Sequence, residues 1–185
     1  MPYTKAQKKL MLNIARKTIE HHFGITEDNE KTSLLEFLKE KRGCFVTITK
    51  NDELRGCIGY IEPVASLGSA ISDNAINAAF HDPRFAELDK SELKEIKIEI
   101  SVLTVPEKLK YTKTSDMLLK IKPHIHGIIL KKDGYSATFL PQVWDEVPEK
   151  EQFLSYLSIK AGLNKDAWKK NPEVYTYKAE HFSEE

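Results

Sequence analysis

Cys44-Phe45-Val46-Thr47-Ile48-Thr49-Lys50-Asn51-Asp52-Glu53-Leu54-Arg55-Gly56-Cys57-Ile58-Gly59-Tyr60-Ile61 decides the fold. Two runs rich in β-branched and aromatic residues flank Lys50-Asn51-Asp52-Glu53, which predicts an antiparallel hairpin. A two-residue loop at Asn51-Asp52 would set Cys57 opposite Val46 and Cys44 opposite Gly59. Both thiols would then share the face of Val46 and Ile48, lying diagonally and poorly placed for a strain-free disulfide. Gly56 and Gly59 weaken a strand, so two of them in a short run imply that something approaches the backbone closely. Arg55 stands two residues from Cys57, hence on the same strand face. A guanidinium there would favour the thiolate, the nucleophilic form. The competing role for Cys57 is that of a small buried hydrophobe.

Upstream, Thr4-Lys5-Ala6-Gln7 is a capping box. Leu10, Met11, Ile14, Thr18, Ile19 and His22 continue it at helical spacing to about Phe23, and Gly24 ends the helix. Ser33 to Glu36 forms a second capping box, opening a short helix that Gly43 closes. Downstream, Ser66 to Ala79 is a helix of small residues that Pro83 limits to about His81. Ile96, Ile98, Ile100 and Val102 alternate with polar residues, as in a strand with one buried face. Thr114 or Ser115 caps a helix through Leu119. Ile125–Lys131 and Tyr135–Leu140 flank Asp133-Gly134, a second hairpin. Glu149–Ala161 is an amphipathic helix closed by Gly162, and Val174–Lys178 is the last strand. Hairpins interspersed with helices give an α+β fold with mostly antiparallel sheets and flanking helices.

The chain has 185 residues, enough for one domain or two joined lobes. Lys+Arg and Asp+Glu each total 28, so zero net charge offers no electrostatic case for generic nucleic-acid or membrane binding. No apolar run approaches the roughly 20 residues that span a bilayer. The first residues lack the apolar region of a signal peptide, and two cysteines make no disulfide scaffold, so a cytoplasmic location is expected. There is no glycine-rich phosphate loop or dinucleotide fingerprint, and no cofactor is expected.

Four segments carry more chemistry than packing requires: Leu54–Gly59, His81–Phe85, His126-Gly127 and Phe139–Trp144. Together with Phe153-Leu154, Lys160-Ala161-Gly162-Leu163 and Asp166-Ala167-Trp168, they resemble in order the AMMECR domain, also called AmmeMemoRadiSam system protein A. The resemblance covers nearly the whole of residues 1–185, departing at Pro123-His124-Ile125-His126-Gly127, where the family usually has glycine shortly before His-Gly. It implies a compact α+β fold of two lobes packed as one unit. It also implies association, at least in gene neighbourhoods, with a Memo-type protein and a radical S-adenosylmethionine enzyme. Cys44 and Cys57 alone cannot hold that enzyme's three-cysteine iron–sulfur cluster.

Two functions follow from these residues. In the first, the chain is a small enzyme with Cys57 as nucleophile, Arg55 as its cationic neighbour, His126 or His81 as base and Asp82 as orienter. Arg84 would clamp an anionic substrate, with Gly56, Gly59 and Gln142 lining its site. In the second, the same residues form a non-catalytic substrate-binding or adaptor module of that system, with Arg55 and Arg84 holding an anionic group. Structural roles compete with each: a turn cap for Asp82-Pro83-Arg84, a carbonyl-bonded strand histidine for His126, and stabilisation of the turn after Pro141 for Gln142. A metal held by His124 and His126 with His81, Asp82 or Cys57 is the weakest option, since that spacing carries no further ligand signature.

Overall fold

The computed structural model describes residues 2–25 and 35–185. The chain divides into two compact units, Met1–Leu103 with Glu180–Glu185, and Thr104–Ala179. Each has a four-stranded antiparallel sheet and its own apolar core, so the α+β expectation holds.

In the first unit, α1 (Lys5–His22) starts at the expected capping box, with Thr4 and Gln7 satisfying each other's backbone N–H groups. Met11, Ala15 and Ile19 form its buried stripe. The capping box expected at Ser33 to Glu36 falls, with Ser33 and Leu34, outside the described residues. The helix α2 (Glu36–Lys39) is only one turn long and ends at Glu40, before Gly43. The sheet order is β2 (Glu53–Tyr60), β1 (Cys44–Lys50), β3 (Ile96–Leu103), β8 (Ala179–Ser183). Ser66 caps α3 (Leu67–Phe80), whose alanines let it lie close on β1 and β2. Val46, Ile48, Ile98 and Ile100 meet Ile71, Ala75 and Ala78 in the core. Fully burying each valine or isoleucine side chain contributes roughly 1.5–3 kcal/mol.

In the second unit the order is β4 (Glu107–Lys108), β7 (Glu173–Tyr177), β5 (Gly127–Lys132), β6 (Tyr135–Phe139). Asp133 and Gly134 both have positive φ, 51° and 83°, and form the expected hairpin turn. The helices are α4 (Thr114–Lys120), α5 (Val143–Glu146) and α6 (Lys150–Lys160). Trp144 stacks flat on Phe153, ring centroids 3.6 Å apart, beside Trp168, Leu154 and Leu157. Lys113, rather than Thr114 or Ser115, occupies the N-cap of α4 and offers no side-chain cap. The strand over Glu173–Tyr177 is not the last. β8 follows it and adds to the first unit's sheet.

Candidate functional site

The hairpin turn is as expected, with Asn51 and Asp52 at φ 52° and 63° between paired Lys50 and Glu53. The register beyond it is not. Thr49 pairs with Leu54 but Ile48 pairs with Gly56, so Arg55 is an extra residue in the ladder. This β-bulge shifts the strand by one, and a one-residue shift exchanges its faces. Cys57 therefore pairs with Thr47, not Val46, and Cys44 with Tyr60, not Gly59. The two cysteines leave opposite faces. Cys44 lies in the core, where Asn74 donates to its sulfur at 3.4 Å and burial pushes its pKa up to about 11. Cys57 is half-buried, and its sulfur accepts from the Thr47 hydroxyl at 3.3 Å.

β2 is an edge strand, so part of its backbone has no strand partner. At Cys57 the loop after α3 supplies one. The Asp82 carboxylate accepts from the Cys57 N–H at 2.9 Å, and an Arg84 Nη2–H donates to the Cys57 carbonyl at 3.2 Å. Asp82 and Arg84 also join each other, Nε–Oδ1 at 2.9 Å and Nη2–Oδ2 at 2.6 Å. Asp82 is buried, and its partners hold its carboxyl far below the usual range, the Arg84 hydrogen bond first, against the opposing effect of burial. Arg84 keeps its side chain 53% exposed, and no bond to its Nη1 exists among the described residues. The Asp82 hydrogen bond is the largest cause of its raised pKa.

Arg55 turns elsewhere. Its Nε and Nη2 hold both Glu92 oxygens at 3.2 and 3.0 Å, while Nη1 and Nη2 donate to the Ala86 and Glu87 carbonyls at 2.8 and 3.0 Å. The hydrogen bond from Arg55 leads the effects that lower the Glu92 pKa to about 2. The cation that reaches Cys57 is thus Arg84, which brings Cys57, Asp82 and Arg84 together, while Arg55 ties residues 86–92 to the strand. What approaches the two glycines belongs to the chain itself. A Cβ on Gly56 would overlap the Ala78 carbonyl of α3, and one on Gly59 would meet the Phe45 ring and the Cys44 carbonyl.

His126 and Gln142 belong to the second unit. The His126 carbonyl accepts from the Trp144 indole N–H at 2.7 Å. Its Nδ1 accepts the Lys122 N–H at 3.3 Å, which leaves the ring proton on Nε2. Burial, then the charges of Lys122 and Lys178, lower its pKa, so the imidazole is neutral at pH 7. Gly127 faces the Tyr177 ring so closely that a Cβ would overlap it. Tyr177 donates to the Phe139 carbonyl at 3.1 Å. His124, at φ 61°, lies 2.9 Å from Asp145 on the surface. Gln142 is half-buried at the N-cap of α5. No three His, Cys, Asp or Glu side chains gather as a metal site among the described residues. No helix among those residues is long and apolar enough to cross a membrane.

The profile of the AMMECR1 family matches residues 12–182. The chain belongs to the AMMECR1 family. Protein MK0488 of Methanopyrus kandleri is 42% identical over 98% of this chain and 90% of its own length. Protein NEQ441 of Nanoarchaeum equitans is 40% identical over 95% and 99%. The crystal structure of uncharacterized protein PH0010 from Pyrococcus horikoshii superposes with a TM-score of 0.88 at 34% identity, covering 98% of this chain and 93% of that one.

In this AMMECR1 chain the recognised segments interlock in two sets. Leu54–Gly59 and Asp82–Arg84 build the clasp in the first unit. His126-Gly127, Phe139–Trp144 and Phe153 build the indole–carbonyl bond and aromatic stack in the second. Lys160 completes the second set by donating to the Thr138 carbonyl at 3.0 Å above the Phe139 ring. Thr47 and Glu92 were missed from the sequence. Thr47 needed the bulge to be known. Glu92 carried a signal in the capping box Asp89-Lys90-Ser91-Glu92, where its carboxylate also accepts from the Asp89 N–H.

Proposed function

We propose that this chain is a binding module, the adaptor of a multi-protein system, which holds a small anionic ligand at Arg84 beside Cys57. The observation that carries this reading is how the Arg84 guanidinium is held. Its Nε and Nη2 are fixed by Asp82 and the Cys57 carbonyl, and Nη1 makes no hydrogen bond among the described residues on a half-exposed side chain. A guanidinium immobilised on one edge offers its free nitrogen to a carboxylate or phosphate at little further ordering cost. Arg55 has all three nitrogens occupied and is the weaker receptor. The Memo-type protein and the radical S-adenosylmethionine enzyme suggested by the family are the partners this reading expects. Titration with inorganic phosphate, followed by amide NMR, tests it. Shifts should concentrate at residues 57 and 82–85 and weaken in Arg84→Lys, which retains the charge opposite Asp82 but loses the fork. Shifts that ignore the substitution would overturn the reading.

A second reading, thiol chemistry at Cys57, is favoured by a half-buried residue whose sulfur accepts from the Thr47 hydroxyl and whose carbonyl accepts from Arg84. Cys57 should then be alkylated by iodoacetamide in the native protein well before Cys44, whose burial keeps it protonated. Equal or reversed labelling would remove Cys57 as a nucleophile.

A further inference from the structure

The zero net charge is the sum of two opposite halves. Residues 104–179 hold thirteen lysines against nine acidic residues, a balance of +4, and the remainder of the chain is −4. In the second unit the lysines meet a groove of about 460 Å³ lined by Lys108–Tyr111 and Asn171–Val174. Lys110 and Lys170 are exposed beside it. Lys132 reaches the Lys170 carbonyl at 3.1 Å, its ammonium also 3.7 Å from the Asp133 carboxylate. On the adjoining strands Lys108 and Lys131 both stand over the Tyr175 ring, 6.0 and 5.4 Å from its centre. Glu173, the acidic residue lining the groove, is spent on Lys108 at 2.8 Å and on the Tyr175 hydroxyl at 2.9 Å.

Lys108 is partnered by Glu173 and Lys132 by Asp133, while Lys110 and Lys170 are exposed in or next to the two segments, 108–111 and 171–174, that line the groove. Lysines on both lining segments of a groove fit charges repeated along a chain. Tyr111 forms a wall of the groove, its hydroxyl tied to the Pro172 carbonyl, so its ring is held in place. A basic groove with a fixed aromatic wall is the chemistry that takes a single nucleic-acid strand: lysines on phosphates, a ring beside a base. We propose that the second unit binds single-stranded nucleic acid along the groove between Lys110 and Lys170.

The test is fluorescence anisotropy with a labelled 20-nucleotide poly-uridine strand and the full chain at about 50 mM salt. Binding should fall with salt, log K against log[salt] sloping at about −3 for four phosphate contacts. Lys110→Glu with Lys170→Glu should weaken binding at least tenfold and flatten the slope. The control pair Lys5→Glu with Lys9→Glu, exposed in the first unit, should leave both unchanged. Circular dichroism confirms that each variant is folded. No binding at low salt, or equal loss in both variant pairs, overturns the proposal. Stronger binding to vesicles rich in anionic lipid than to RNA, lost in the same double variant, overturns it in favour of a membrane surface.

Discussion

The two sheets close one exposed edge each, by unequal means. On β2 a buried carboxylate and an arginine take both the N–H and the carbonyl of one residue, Cys57. On β6 one ammonium, Lys160, takes one carbonyl, that of Thr138. Either device leaves fewer free groups for another chain to pair with. Only the first also fixes a loop, because Asp82 and Arg84 are loop residues and Arg55 anchors the segment that follows. The β2 edge is therefore a built corner, and the candidate thiol sits at its apex. The β6 edge is a cap on a strand whose position is set by the aromatic core behind it. Rigid placement of a reactive or ligand-facing group is what the first arrangement provides and the second does not.

The largest expected effect tests the corner's foundation. Gly56→Ala would drive a methyl into the Ala78 carbonyl, a backbone atom that cannot swing aside. A loss of about 3 kcal/mol is expected, at the upper end for overpacking, read as a lowered urea midpoint. A loss under about 1 kcal/mol would mean that α3 slides freely on β2 and that the corner is not rigid.

Next is the charge within the clasp. Asp82→Asn removes the ion pair with Arg84 and should cost about 2 kcal/mol at pH 7. The folded-state pKa values of Asp82 and Glu92 both lie below their ordinary values, Glu92's at about 2. Their stabilisation is thus complete above the ordinary carboxylate range and is lost as pH falls from about 5 towards 2. The gap between parent and Asp82→Asn should accordingly shrink across that window in denaturation series. A gap that stays constant with pH would show that packing, and not charge, holds the loop.

How much of this was legible follows from which forces act locally. The capping box at Thr4 and the turns at Asn51-Asp52 and Asp133-Gly134 are set by neighbours in sequence and were readable. Of the expected α1 stripe, Met11 and Ile19 are buried, Leu10, Ile14 and Thr18 are half-buried and His22 is exposed, while the buried Ala15 carried too weak an apolar signal to be named. The bulge at Arg55 was not. It depends on Glu92 and on the carbonyls of Ala86 and Glu87, which no local pattern places opposite β2. That one residue moved Cys57 from the core face to the opposite one and made Arg84 its neighbouring cation. β8 escaped because Ala179–Ser183 has little alternation and finds its place only by pairing at the far edge of the first sheet. The segments that identify the family were legible as motifs, yet their partners, such as Trp144 for the His126 carbonyl, were not.

The smallest expected effect tests the other edge. Lys160→Ala removes a hydrogen bond and a cation–π contact with Phe139, both at the surface. Burial lowers the pKa of Lys160, so part of its interaction energy is already offset by desolvation. The net loss should be about 0.5 kcal/mol, within the range of exposed contacts. The more telling readout is association. Uncapping the Thr138 carbonyl leaves a backbone acceptor free on β6, and light scattering at high concentration should show more self-association than the parent. Lys160→Arg, which keeps both contacts, should restore the parent's behaviour. If Lys160→Ala instead costs as much as Asp82→Asn, the β6 edge is no mere cap, and the contrast between the two edges fails.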